Sequence, residues 1–140
     1  MALPTDRLAA LWTTPPTGDD RDDQAFLSVY TDPVSLNGTT VRVADLVARY
    51  RALHAAFADL AIDQVARLDA PGGLAVALRQ RGRHAGPLAT PAGEVSATGR
   101  TFDVLGIDIL RLADDGRIAT IWVVADELGR LVQLGALPTP

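Results

Sequence analysis

The sequence predicts an α+β fold, a cone-shaped curved antiparallel sheet wrapped around N-terminal helices and enclosing a cavity. Three observations predict it. Apolar residues recur at helical spacing up to Phe57. After Asp59 the period shortens to two, in strand-length segments that follow one another. Turn sequences such as Ala70-Pro71-Gly72-Gly73 and Asp114-Asp115-Gly116 join these segments, so neighbours pair antiparallel.

Each element follows from local chemistry. Asp6 to Trp12 reads as a short helix with Leu8, Leu11 and Trp12 on one side, and Pro15-Pro16 stops it. The acidic turn Thr17 to Gln24 caps the next helix through Asp19 or Asp20. Its carboxylates lack the alternating spacing and closing glutamate of a calcium loop. Asp22 to Tyr30 forms that second helix, and Asp32-Pro33 breaks it. A short strand, Val34 to Asn37, ends at Asn37-Gly38. In the strongest helix, Leu46, Val47, Tyr50, Leu53, His54 and Phe57 share one face, with Arg42, Asp45, Arg49, Arg51 and Asp59 largely elsewhere. Ile62 to Leu68, Leu74 to His84, Thr101 to Leu112 and Ile118 to Val124 are the longer strands, with a long loop from Gly86 to Gly99.

Composition bounds the rest. At 140 residues, 48% apolar and 21% charged, the chain suits a single domain over 1–140, with residues 1–20 as an N-terminal helix and loop. It has no cysteine, which excludes disulfides and thiolate chemistry, and no lysine, which excludes a Schiff-base or P-loop lysine. A net charge of −4 with 5% aromatics disfavours nucleic acid as a partner. No apolar run reaches the length of a membrane span, and no basic-then-apolar start marks a secretory signal. A soluble cytoplasmic protein is the expectation.

Strand alternation narrows the candidate site. In Leu74 to His84, Arg79, Arg81 and Arg83 share one face, so Gln80 and His84 fall with Leu74, Val76 and Leu78 inward. His84 either bonds backbone near the strand end or serves as a pocket acid or base. In Thr101 to Leu112, Asp108 shares the inward face with Phe102, Val104 and Leu110. A carboxylate there is costly unless paired. It meets an arginine or backbone donor, or it is a general acid/base with a raised pKa, the reading preferred here. In the last strand both faces are apolar, so the inward one stays open between Trp122 with Asp126 and Ile121 with Val123. One face would line the cavity and the other meet a partner subunit, which predicts a homodimer. Asp126 lines the pocket, ends the strand or caps a turn before Leu128. Tyr30, Asn37 and Tyr50 are further pocket candidates, each with a polar tip on an apolar body. His54 is read as a core or helix-end histidine. No close pair of histidines exists to hold a metal, and no serine sits in a nucleophile elbow.

Two stretches, RGRHAGPL from Arg81 and FDVLGIDILRLADDGRIATIWVVADELGRLVQLGALP from Phe102 to Pro138, resemble the SnoaL-like polyketide cyclases of the nuclear-transport-factor-two-like superfamily. The shared features are His84-Ala85-Gly86, Gly106-Ile107-Asp108, Asp115-Gly116-Arg117-Ile118, Trp122 to Asp126, and Gln133-Leu134-Gly135. The helix LVARYRALHAAFADL fits as well, and the likeness runs from Tyr30 to Pro138. It implies a cone-shaped barrel, a homodimer and a deep apolar pocket. It also implies intramolecular aldol closure of a polyketide in secondary metabolism, without metal or organic cofactor. An aspartate on the last long strand serves as acid/base in that family, and hydrogen-bond donors hold the enolate. Here that position is Val123. Asp108 aligns where a cyclase histidine often lines the pocket. The loop Pro87 to Gly99 is longer than the family's usual turn.

The expected activity is therefore a cyclase or isomerase acting on a hydrophobic small molecule. Asp108 and His84 are its catalytic candidates, with Tyr30, Asn37, Tyr50, Gln80, Trp122, Val123 and Asp126 around the substrate. The rivals are a non-catalytic ligand-binding or dimerisation module, which Val123 favours, and an epoxide-opening enzyme. The last needs two carboxylates and an arginine, and Asp108 is the one inward carboxylate.

Overall fold

A computed structural model describes residues 5–137. Pro138 and the two ends of the predicted 1–140 domain lie outside the described residues. Helices α1 (Thr5–Thr13), α2 (Asp20–Leu27) and α3 (Val43–Ala56) come first, interrupted by the strands β1 (Tyr30–Leu36) and β2 (Thr39–Val41). Then follow β3 (Phe57–Ala70), β4 (Gly73–His84), β5 (Leu88–Thr90), β6 (Gly93–Val95), β7 (Thr101–Leu112), β8 (Ile118–Ala125) and α4 (Glu127–Gln133). The curved main sheet runs β2-β1-β8-β7-β4-β3. All its neighbours are antiparallel except β1 and β8, which pair parallel.

Caps and turns set these boundaries. Asp19 caps α2, accepting a hydrogen bond from the Arg21 amide. Asp45 receives the Arg42 amide at 2.9 Å at the start of α3. Asn37 and Gly38 both have positive φ and close a two-residue hairpin between Leu36 and Thr39. Pro71-Gly72 does the same between Ala70 and Gly73, with glycine supplying φ +75° at the second central position.

Several elements depart from expectation; α2 also ends at Leu27 rather than Tyr30, and β2 was not expected. β1 starts at Tyr30 rather than Val34, and its register with β8 shifts between Tyr30 and Ser35, where Pro33 has no N–H to give. β3 starts at Phe57, because the positive φ of Asp59 falls at an irregular step in its pairing with β4 and does not end the strand. The 86–99 loop contains the β5–β6 hairpin. After Asp126 the chain forms α4, a seven-residue helix too short to show a hydrophobic period.

The core fills the space between the helices and the concave side of the sheet. Phe26, fully buried, lies among the rings of Trp12, Tyr30 and Tyr50. Its truncation to alanine would cost about 3–5 kcal/mol. Phe57, Phe102 and Leu134 belong to a second buried apolar group. The alternation in β4 and β7 holds: Leu74, Val76, Leu78, Phe102, Val104 and Leu110 are buried, and the arginines of β4 face out. In β8, Ile118 and Ile121 are buried whereas Trp122 and Val124 are 50% and 75% exposed. The inward face of β8 is thus the one carrying Ile121 and Val123. Together with Leu105, Ile107 and Ile109, Trp122 and Val124 leave an apolar strip on the outer face.

Candidate functional site

A cavity of about 530 Å³ opens between the inner face of the sheet and the helices α1 and α3. Leu8 and Trp12 of α1, Leu46 and Leu53 of α3, and Leu36, Ile62, Leu78 and Ile121 of the sheet make its walls apolar. A depression of similar volume, about 540 Å³, lies between the turns at 70–73 and 113–116. Exposed turn residues form much of its rim, and it holds no buried ionisable group, so it offers no comparable chemistry.

Three polar side chains from the sheet enter the cavity: Asp108, Tyr30 and Gln80. Asp108 is mostly buried, and no hydrogen bond or ion pair holds its carboxyl among the described residues. Burial pushes it from 3.8 up to about 6, because nothing replaces the water that stabilised its charge. Tyr30 accepts a hydrogen bond from Trp12 Nε1 at 2.8 Å. Burial above all, and the nearby Asp108 charge, keep its phenol protonated, against the smaller opposing pull of the Trp12 bond. Its hydroxyl hydrogen thus remains a donor. Strand register sets Asp108 opposite Val123. Such partners have Cβ atoms about 4.5–5.5 Å apart, and both side chains line the cavity.

The structure separates the other predicted residues from this group. Asp108 pairs with Val76 on β4, and His84 lies eight residues further along that strand. That is roughly 26 Å at the rise of a β-strand, so the expected Asp108–His84 pair does not form. His84 is fully buried against Phe57, and its Nδ1 accepts from the Thr98 amide at 3.3 Å. Tyr50 donates its hydroxyl to the Thr14 carbonyl and lines a smaller groove instead of the cavity. Asn37 stays in the hairpin turn, where its side chain receives the Val123 amide at 2.8 Å and donates to the Val123 carbonyl. Trp122 points outward, since β8 presents its other face to the cavity. Asp126 caps α4, accepting from the Gly129 amide at 2.8 Å. His54 meets the Trp12 carbonyl at 2.8 Å through Nε2.

The charged cavity residues Arg49, Glu127 and Arg130 escaped the sequence reading. Arg49 lies between Leu46 and Leu53 on α3 and shares their side of the cavity. Its i+3 spacing from Leu46 was the available signal. Arg130 of α4 is buried, ion-paired to Glu127, and stacked over Phe57 and Phe102 at 5.4 and 5.2 Å. Among the described residues, no three His, Asp or Glu side chains gather as metal ligands.

The SnoaL-like polyketide cyclase family matches over residues 6–134. The chain belongs to the SnoaL-like polyketide cyclase family. Solved structures share its fold. TsrD from Streptomyces laurentii is 24% identical, with a TM-score of 0.77 over 95% of this chain and 92% of that one. A SnoaL-like polyketide cyclase from Agrobacterium tumefaciens is 16% identical, with a TM-score of 0.71 over 94% of each chain. A protein of ketosteroid isomerase-like fold from Catenulispora acidiphila, in complex with trimethylamine, is 17% identical, with a TM-score of 0.70 over 97% and 96%. At these identities the likeness shows the fold alone. No curated protein matches the chain. No helix among the described residues is long and apolar enough to cross a membrane. In this SnoaL-like chain the cavity carboxyl without a partner is on β7.

Proposed function

We propose that this protein closes a ring within a hydrophobic, polyketide-like ketone, with Asp108 as the proton-transfer group. The observation that carries this reading is an unpartnered carboxyl on the cavity wall, cross-strand from Val123, where the family resemblance places the catalytic aspartate. The acid has moved one strand over and still reaches the same region of the cavity.

The chain's own side chains supply the steps. The Asp108 carboxylate takes a proton from the carbon beside a substrate carbonyl. The electron pair left behind delocalises onto that carbonyl oxygen as an enolate. The Tyr30 hydroxyl, oriented by Trp12, donates a hydrogen bond to the enolate oxygen. The enolate carbon attacks a second carbonyl of the same molecule and forms the new carbon–carbon bond. The resulting alkoxide takes the proton back from Asp108. A carboxyl poised at about 6 is ionised at neutral pH yet more basic than an ordinary aspartate, which suits a general base. Gln80 orients the substrate from β4, and the apolar walls exclude water.

Asp108→Asn tests this with an anthraquinone carrying a 1,3-dicarbonyl side chain as substrate. Turnover is expected to fall about 10²–10⁴-fold. Turnover at the parent rate would overturn the assignment. The competing reading, a ligand carrier, is favoured by Val123 alone, and binding without turnover in the parent protein would support it. An epoxide-opening site is disfavoured, because Glu127, the other cavity carboxylate, is tied to Arg130.

The reading includes a homodimer through the outer strip of β7 and β8, since Ile107, Ile109, Trp122 and Val124 form one exposed apolar patch. Ile107→Asp is expected to convert a dimer to a monomer by light scattering. A parent protein that is monomeric at micromolar concentration would rule the dimer out.

A further inference from the structure

The cavity carries an unanswered positive charge. Most arginines of this chain are tied to a carboxylate, as Arg51 is to Asp22 and Arg79 to Asp103. Arg49 makes no hydrogen bond or ion pair among the described residues, although it lines the cavity. It is exposed, so it lines the cavity where the cavity meets solvent. The same lining holds Arg130, more than nine-tenths buried. Its Nε–H meets no acceptor among the described residues. Of the two cavity acids, Glu127 is already committed to Arg130, and Asp108 faces the interior.

Along β7 the Arg130–Glu127 pair is set apart from Asp108. Arg130 sits over Phe102, and Phe102 lies six residues before Asp108 on β7. That is about 20 Å of strand. A guanidinium with free donors at an apolar opening favours a planar, two-oxygen anion, which it can grip with two parallel hydrogen bonds. A neutral ester would satisfy neither its charge nor its fork.

We propose that the substrate is an apolar molecule bearing a free carboxylate, which the Arg49 guanidinium receives at the cavity mouth. This rests on the reading of the cavity as the substrate site. The free acid is thereby distinguished from its ester, and the reacting carbonyl is directed inward towards Asp108. Arg49 is a specificity-determining residue, outside the proton transfers.

The test is calorimetric titration with anthraquinone-2-carboxylate and with its methyl ester. The acid is expected to bind at least tenfold more tightly than the ester. Arg49→Gln should abolish that preference while leaving ester affinity unchanged, and Arg49→Lys should restore part of it. Added salt should weaken the acid and spare the ester. Equal affinities for acid and ester, or a preference that survives in Arg49→Gln, would overturn the carboxylate assignment and leave the cavity reading standing. Binding of neither probe would overturn both.

Discussion

Asp22 and Asp108 are both withdrawn from water, and they differ in what meets them. Asp22 is buried in the first turn of α2, where it accepts hydrogen bonds from the Thr17 amide and hydroxyl, the Gly18 amide and the Arg51 guanidinium. Its burial opposes ionisation, yet these donors hold its carboxyl down to about 2. Asp108 has no such donors, and burial alone pushes it up to about 6. One carboxyl is a structural tie, the other a group left able to exchange a proton. Burial by itself does not mark a site; burial without partners does.

The harshest way to break this contrast is to move the free carboxyl. Asp108→Asn should lose about 10²–10⁴-fold in rate, and adding Val123→Asp should return a measurable part of it, read as kcat/KM on the ring-closing substrate. No recovery in a folded double variant would mean that the two positions do not serve one reacting centre. Asp22→Asn should do the opposite. It should lower the melting temperature more than any other carboxylate substitution while ligand affinity in the main cavity holds, because its donors lose their shared acceptor.

Stability against pH separates the pair further. Asp22 has a lowered pKa, so its contribution is present above about pH 4 and is lost as the pH falls towards about 2. Asp108 has a raised pKa, so the folded state holds its proton more tightly than the unfolded one between 3.8 and about 6. Stability therefore falls as the pH rises through that window and levels off above it, by on the order of 3 kcal/mol. Denaturant titrations should show the fall in the parent and not in Asp108→Asn. The same ionisation should raise kcat/KM between about pH 5 and 7.

His84 gives the smallest effect on rate. His84→Phe keeps the packing against Phe57 and removes the acceptor for the Thr98 amide. It should cost about 1–3 kcal/mol of stability and leave the rate within a few-fold of the parent. A loss as large as that of Asp108→Asn would return His84 to the site.

Several of these assignments are legible in the residues alone. Alternation in VLGIDILRL puts Asp108 inward, and the arginine row of β4 puts Gln80 inward. The pair with His84 is not legible, because inward parity places two residues on one face and says nothing about their distance along it. Trp122 was ambiguous for a related reason: β8 is apolar on both faces, so pattern cannot choose between them. Arg49 is exposed, as a charged side chain off the apolar helix face should be, and only the fold shows that its place on α3 borders the cavity. Asn37 is a pocket candidate by residue type, and its side chain is taken up by the Val123 backbone, whereas Asp126 takes the capping alternative that the sequence leaves open.

Local chemistry, then, determined the helices, the turns, the inward faces of β4 and β7 and the family, since each depends on neighbours within a few residues. Tertiary structure alone decided which polar groups found partners. It tied Asp22 to Arg51 across 29 positions of chain, set Asp108 opposite Val123, and left Asp108 and Arg49 unpaired. Pairing depends on where distant segments meet, and the order of residues records that only through the folded chain.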